Sequence, residues 1–131
     1  MSSLKIALFG FDSYTAQIPR YREAFIQLGH TLSSNNPDII YANDPTGFKN
    51  ALELKNLFPK SFLILHVLDI PWHHSGVNSW IEQLTKMLKK ADVIAANSEK
   101  VKNDLSQFIH SEKIIVTFDV AKDVFLDEKI K

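Results

Sequence analysis

The residues His66-Val67-Leu68-Asp69-Ile70-Pro71-Trp72-His73-His74 place an imidazole, a carboxylate, an indole and two further imidazoles within one short stretch. An imidazole titrates near neutrality and can stabilise charge that develops on a bound molecule. His66 also admits a plainer reading, a partly buried histidine bonded to a loop carbonyl. Asp69 can orient that ring, or it can shape the Asp-Ile-Pro turn. Trp72 offers a flat face on which a ring can stack. The same residue types are good zinc ligands, yet neighbouring His73 and His74 diverge in direction and no His-x3-His pair exists, so the expectation is no metal and a polar loop lining a ligand groove. Asn97-Ser98 reads as a helix cap worth about 1 kcal/mol, and also as a helix N-terminus that can meet an anion. Gly10 and Ser13 follow the first apolar run, and Arg20 and Arg22 stand either on a solvated face or where a phosphate could be met.

What must position these residues is a set of apolar runs: Ile6 to Phe9, Ile39 to Ala42, Phe62 to Leu65, Val93 to Ala96 and Ile114 to Thr117. Strands that read as continuous apolar runs are buried on both faces, as in parallel sheets covered by crossover helices. Between the runs the apolar residues recur at helical spacing. Ile18, Tyr21, Phe25 and Leu28 predict a helix over 18–28, with Pro19 in its first turn and Gly29 at its C-terminal cap. Asp44 is expected as an N-cap ahead of Pro45, with Phe48, Ala51, Leu52 and Phe58 facing the sheet until Pro59. Trp80, Leu84, Met87 and Leu88 mark a third helix, and Val101, Leu105, Phe108 and Ile109 a fourth. His30 to Ser33 reads as a minor edge strand. The expected class is therefore α/β, a three-layer Rossmann-like domain with a mostly parallel sheet flanked by helices. In such a sheet the ligand site lies at the carboxyl ends of the strands. Those ends read Gly10-Phe11-Asp12-Ser13, Asn43-Asp44, His66 to Asp69, Asn97-Ser98 and Phe118-Asp119.

With 131 residues and 45% hydrophobic content, the chain predicts a single domain over 1–131 that can bury a core, with about 120–131 as a tail or interdomain linker. Fifteen Lys+Arg balance fifteen Asp+Glu, so no global field would draw in nucleic acid. The absence of cysteine excludes disulfides, Cys-ligated zinc and thiol catalysis. It fits a reducing cytoplasm. No run approaches the length of a membrane helix and the N-terminus lacks a signal-peptide pattern, so a soluble, cytoplasmic protein without a transmembrane segment is expected. The glycines, Gly10, Gly29, Gly47 and Gly76, form neither a G-x-G-x-x-G turn nor a P-loop, and no G-x-S-x-G elbow exists. NAD, P-loop ATP and serine-hydrolase chemistry fall together.

The stretch Ala91-Asp92-Val93-Ile94-Ala95-Ala96-Asn97-Ser98-Glu99-Lys100-Val101 resembles a signature of GT-B glycosyltransferases, family 4 above all: an alanine-aspartate strand, then asparagine-serine opening a helix. Lys113 to Phe125 is similar to that family's following strand and loop, although Phe118-Asp119-Val120-Ala121-Lys122-Asp123 lacks the usual proline and glycine. Leu28-Gly29-His30 resembles the end of the family's first helix, and His66 with Asp69-Ile70-Pro71-Trp72 resembles the histidine and aspartate after a central strand. The family's glycine pair after strand one is replaced here by Gly10-Phe11. Its C-terminal domain, with two glutamates eight positions apart, has no counterpart in the sequence.

The resemblance implies the N-terminal, acceptor-binding half of a glycosyltransferase that moves a sugar from a nucleotide-sugar donor to a sugar or lipid-linked acceptor. It implies His66 and Asp69 as catalytic residues, acting by positioning and electrostatics. Gly10, Ser13, Trp72, His74, Asn97 and Ser98 would bind acceptor or substrate, with no cofactor. The donor-binding domain would be supplied in cis or in trans, and the chain alone would be inactive. The alternative is a stand-alone flavodoxin-like or receiver-like binding or regulatory module using Asp12 and Asp69. A receiver needs an acidic pair after strand one, and Asp12 stands alone there.

Overall fold

The computed structural model describes residues 3–10, 17–43, 45–67 and 77–117. Each apolar run forms a strand: β1 (Lys5–Phe9), β3 (Ile39–Ala42), β4 (Phe62–Val67), β5 (Val93–Ala96) and β6 (Ile114–Val116), joined by a two-residue β2 (Thr31–Leu32). The helices are α1 (Gln17–Gln27), α2 (Pro45–Leu57), α3 (Val77–Leu88) and α4 (Glu99–Leu105), and a 3-10 turn at Ser111–Lys113 precedes β6. All strands pair in parallel in the order β2-β1-β3-β4-β5-β6. This is the three-layer α/β, Rossmann-like class the sequence predicts.

The chain steps from β1 to β2 in one direction and from β3 to β6 in the other. Right-handed crossovers then put α1 on one face and α2, α3 and α4 on the opposite one. Pleat alternation assigns Ala7, Ile40, Ala42, Leu63, Leu65, Val67, Ile94, Ala96 and Ile114 to the three-helix face. There they join Phe48 and Ala51 of α2, Leu84 and Leu88 of α3, and Val101 and Leu105 of α4 in one buried core. The α1 face is only partly covered. Ile6 and Tyr41 are buried beneath it, whereas Phe62 and Ile115 remain 44% and 49% exposed, so burial on both faces is incomplete at the start of β4 and in β6 at the sheet edge.

Helix ends follow local chemistry. Gly29 adopts φ +90°, a conformation open to glycine at little cost, and His30 N–H bonds back to the Phe25 carbonyl at 2.9 Å to close α1. Leu28 does not pack inward as its spacing predicts. It is 64% exposed, because it stands in the closing turn, beyond the helical residues that face the sheet. Phe108 is likewise left on the surface, and Ile109, four positions after Leu105, takes the inward place. Asp44, expected as the cap of α2, and Trp80, expected in the core of α3, lie outside the residues or side chains described.

The first turn of α2 is pressed against the end of β1. A Cβ on Gly47 would lie 3.1 Å from the Phe9 carbonyl carbon and oxygen. That close approach brings the start of α2 over the carboxyl end of β1.

Candidate functional site

The parallel arrangement brings the carboxyl ends of the strands to one rim. Among the described residues the rim holds Gly10 after β1, Asn43 after β3, His66 and Val67 ending β4, Asn97 and Ser98 after β5, and Thr117 after β6. The ladder extends past the strands themselves: Asn43 N–H bonds to Phe9 O at 3.2 Å, Asn97 N–H to Val67 O at 3.1 Å and Thr117 N–H to Ala96 O at 2.8 Å. The rim residues thus sit on a regular backbone rather than on independent loops. Of the site residues expected from sequence, Gly10, His66, Asn97 and Ser98 meet here. Ser13, Asp69, Trp72 and His74 lie outside the described residues, as does Asp12.

His66 is 1% exposed. Its Nδ1 is 2.5 Å from the Tyr41 hydroxyl and its Nε2 is 3.2 Å from the Thr117 hydroxyl. The Tyr41 and His66 rings meet edge-on at 5.9 Å between centroids, and Tyr21 packs edge-on against Tyr41 at 5.1 Å. His66 thus meets two hydroxyls brought from elsewhere in the sheet, one in β3 and one just after β6. Burial, with Tyr21 beside it, pushes the Tyr41 phenol well above the ordinary tyrosine range, so it stays neutral and keeps its proton for hydrogen bonding.

Tyr41 and Thr117 were not singled out by sequence reasoning, and both carried a signal. A tyrosine inside an apolar run must find a partner for its hydroxyl once buried. Register places Tyr41 opposite Ile64, two residues before His66 on the same face. Thr117 is the single hydroxyl in the run that forms β6.

Ser98 has a structural task. It adopts an extended backbone at the N-cap of α4, and its Oγ accepts from Val101 N–H at 3.2 Å. Asn97 differs: its Oδ1 is shielded from solvent and has no hydrogen-bond partner. An unsatisfied buried acceptor costs about 1–3 kcal/mol, and in a native fold it calls for an explanation. Among the described residues no three His, Asp or Glu side chains converge as a metal site.

The opposite rim is built differently. Asp92 Oδ2 accepts from Leu63 N–H at 2.7 Å and from Lys55 Nζ at 3.3 Å, while Lys55 Nζ also donates to the carbonyls of Pro59 and Ser61. Asp38 Oδ2 accepts from Lys5 N–H at 2.8 Å. These contacts tie strand starts together and leave the polar groups committed. A groove of about 480 Å³ between α2 and α3, lined by Lys49, Leu52, Lys86 and Met87, lies in the outer helical layer rather than at the strand ends. No described helix is long and apolar enough to cross a membrane. Comparison with known protein families and with curated proteins finds no match to this chain.

Proposed function

We propose that the chain is the acceptor-binding half of a GT-B-type glycosyltransferase, holding a sugar or lipid-linked acceptor while a donor-binding domain, in cis or in trans, presents a nucleotide-sugar. The observation that carries the reading is the convergence of His66, Asn97 and Thr117 on one rim of an otherwise apolar sheet. Directional hydrogen-bonding groups of this kind suit the hydroxyls of a saccharide, and the zero formal net charge supplies no field that would favour a polyanion. His66, buried with its ring nitrogens against the Tyr41 and Thr117 hydroxyls, would act on a ligand indirectly, by positioning Thr117, with no metal required.

The purified chain incubated with nucleotide-sugars and glycan acceptors is expected to transfer no sugar, because half of the cleft is missing. It is expected to co-purify with a nucleotide-sugar-binding protein or domain. Transfer by the isolated chain contradicts the half-cleft account, and absence of any such partner contradicts the acceptor-half assignment.

The strand order supports a second reading. β2-β1-β3-β4-β5 is the flavodoxin-like order, here extended by β6, and it suits a stand-alone binding or regulatory module. Receiver chemistry would need a lysine and a hydroxyl at later strand ends together with acidic residues. The described ends of β4 and β5 supply Val67, Asn97 and Ser98 and no lysine. Exposure to acetyl phosphate and magnesium is expected to leave the chain unmodified, and an acyl phosphate on an aspartate would move the assignment to a receiver.

A further inference from the structure

We infer that the starting rim of the sheet, where exposed Leu28, Leu57, Phe62 and Phe108 stand among the unpaired lysines Lys60, Lys89 and Lys90, docks on an anionic lipid membrane. The inference is independent of the acceptor-half reading, because it concerns the pole of the molecule opposite the carboxyl rim.

Topology gathers these residues. Each helix carries the chain from the carboxyl rim back to a strand start, so helix ends and strand starts share one pole. Leu28 follows α1, Leu57 ends α2, Phe62 opens β4 and Phe108 follows α4. Lys60 lies between α2 and β4, and Lys89 and Lys90 lie between α3 and β5. Hydrogen bonds tie the pole into a ledge: Lys5 N–H reaches Asp38 Oδ2 at 2.8 Å, Phe62 N–H the Asp38 carbonyl at 2.9 Å, and Lys113 Nζ the Lys89 carbonyl at 2.7 Å. The connections that form it, 28–30, 58–61, 89–92 and 106–110, all lie within the described residues.

Two observations together point to lipid. Of the large apolar side chains left exposed among the described residues, Ile115 alone lies away from this pole, since Ile26 stands in the last turn of α1. Leu57 is 73% exposed, and apolar surface gathered in one place marks a contact surface. Lysine at a helix C-terminus complements the helix dipole, which accounts for Lys89 and Lys90 but for no exposed leucine or phenylalanine. The second observation is charge. Asp38 is engaged by the Lys5 amide, and Asp92 by the Leu63 amide and Lys55, whereas Lys60, Lys89 and Lys90 are exposed and form no ion pair. Glu112 is also exposed here, with Lys113 next to it. A nucleic acid could meet the lysines and would offer no apolar phase to Ile26, Leu28 and Leu57. A lipid interface takes both, with lysine stems along the apolar boundary and ammonium groups at the phosphates.

Sedimentation of the whole chain with vesicles tests the inference. Binding is expected to vesicles of phosphatidylglycerol and phosphatidylcholine in equal parts, with release when salt is raised about tenfold and little binding to phosphatidylcholine alone. Lys60→Gln, Lys89→Gln and Lys90→Gln are each expected to weaken the partition about fivefold, and Leu57→Ser with Phe62→Ser to weaken it about tenfold together. Lys100→Gln, at the start of α4 near the carboxyl rim, removes the same charge and is expected to leave binding unchanged. All these positions are exposed, so the amide spectra of the variants are expected to remain those of the native fold. No binding to the mixed vesicles, equal binding to the neutral ones, or an equal loss with Lys100→Gln overturns the inference. So does an oligonucleotide bound as tightly as the mixed vesicles, or a concentration-dependent dimer that Leu57→Ser abolishes, which would give this pole to a second copy of the chain.

Discussion

Tyr41 and His66 are both buried, and a 2.5 Å hydrogen bond joins them. Removing the phenol oxygen with Tyr41→Phe takes away a buried hydrogen bond to Nδ1, which should cost about 1–3 kcal/mol in urea unfolding. A loss below a few tenths of a kcal/mol would mean the ring finds another partner. The phenol also ties stability to pH. Its folded pKa is raised above the unfolded value, so the stabilisation is complete below about pH 10. Above that the unfolded chain releases the proton while the folded chain keeps it, and stability falls by about 1.4 kcal/mol per pH unit. Unfolding curves between about pH 9 and 11 should therefore show a steeper alkaline decline for the native chain than for Tyr41→Phe. Equal slopes would contradict the burial of this hydroxyl.

Elements are held at their two ends by different means. At the starting rim, Asp92 accepts the amide of Leu63, a residue with no exposed surface, and also meets Lys55. Asp92→Ala should cost about 1–3 kcal/mol, chiefly from the orphaned amide, while Lys55→Met should cost less because that ion pair is partly solvated. A double-mutant cycle that assigns most of the loss to the ion pair would reverse this ranking. At the other rim, Gly47 lets α2 approach β1. An alanine in an open helix interior would gain about 1 kcal/mol over glycine. Here its methyl would meet backbone at 3.1 Å, and overpacking of about 1–3 kcal/mol should outweigh the gain. Gly47→Ala is thus expected to be neutral to destabilising by about 2 kcal/mol in thermal unfolding, and a stabilised variant would show that the helix moves away freely.

At the scale of the molecule, the apolar runs and their polar ends sufficed to anticipate parallel strands, an edge at Thr31–Leu32 and a common rim, because continuous apolar stretches have few other stable arrangements. Pairing across strands was not legible. Nothing in the local pattern at Tyr41 or Thr117 says that residues 25 and 51 positions from His66 will meet its ring, since that depends on sheet order and register. The same limit explains Phe62 and Ile115: a run announces that a strand is apolar, while the number of helices on each face depends on which way successive crossovers step. Asn97 and Ser98 looked alike in sequence and part company in the fold, one capping α4 and the other holding an unmatched oxygen.

The central claim is that saccharide is received at the carboxyl rim of the sheet, and amide shift mapping of the labelled chain against a panel of glycan acceptors tests it most directly. The account predicts shifts gathered at Gly10, Asn43, Asn97, Ser98 and Thr117, with the opposite rim around Lys55 and Asp92 silent. Shifts gathered instead at Lys49 and Lys86 in the α2–α3 groove, or at the strand starts, would contradict it.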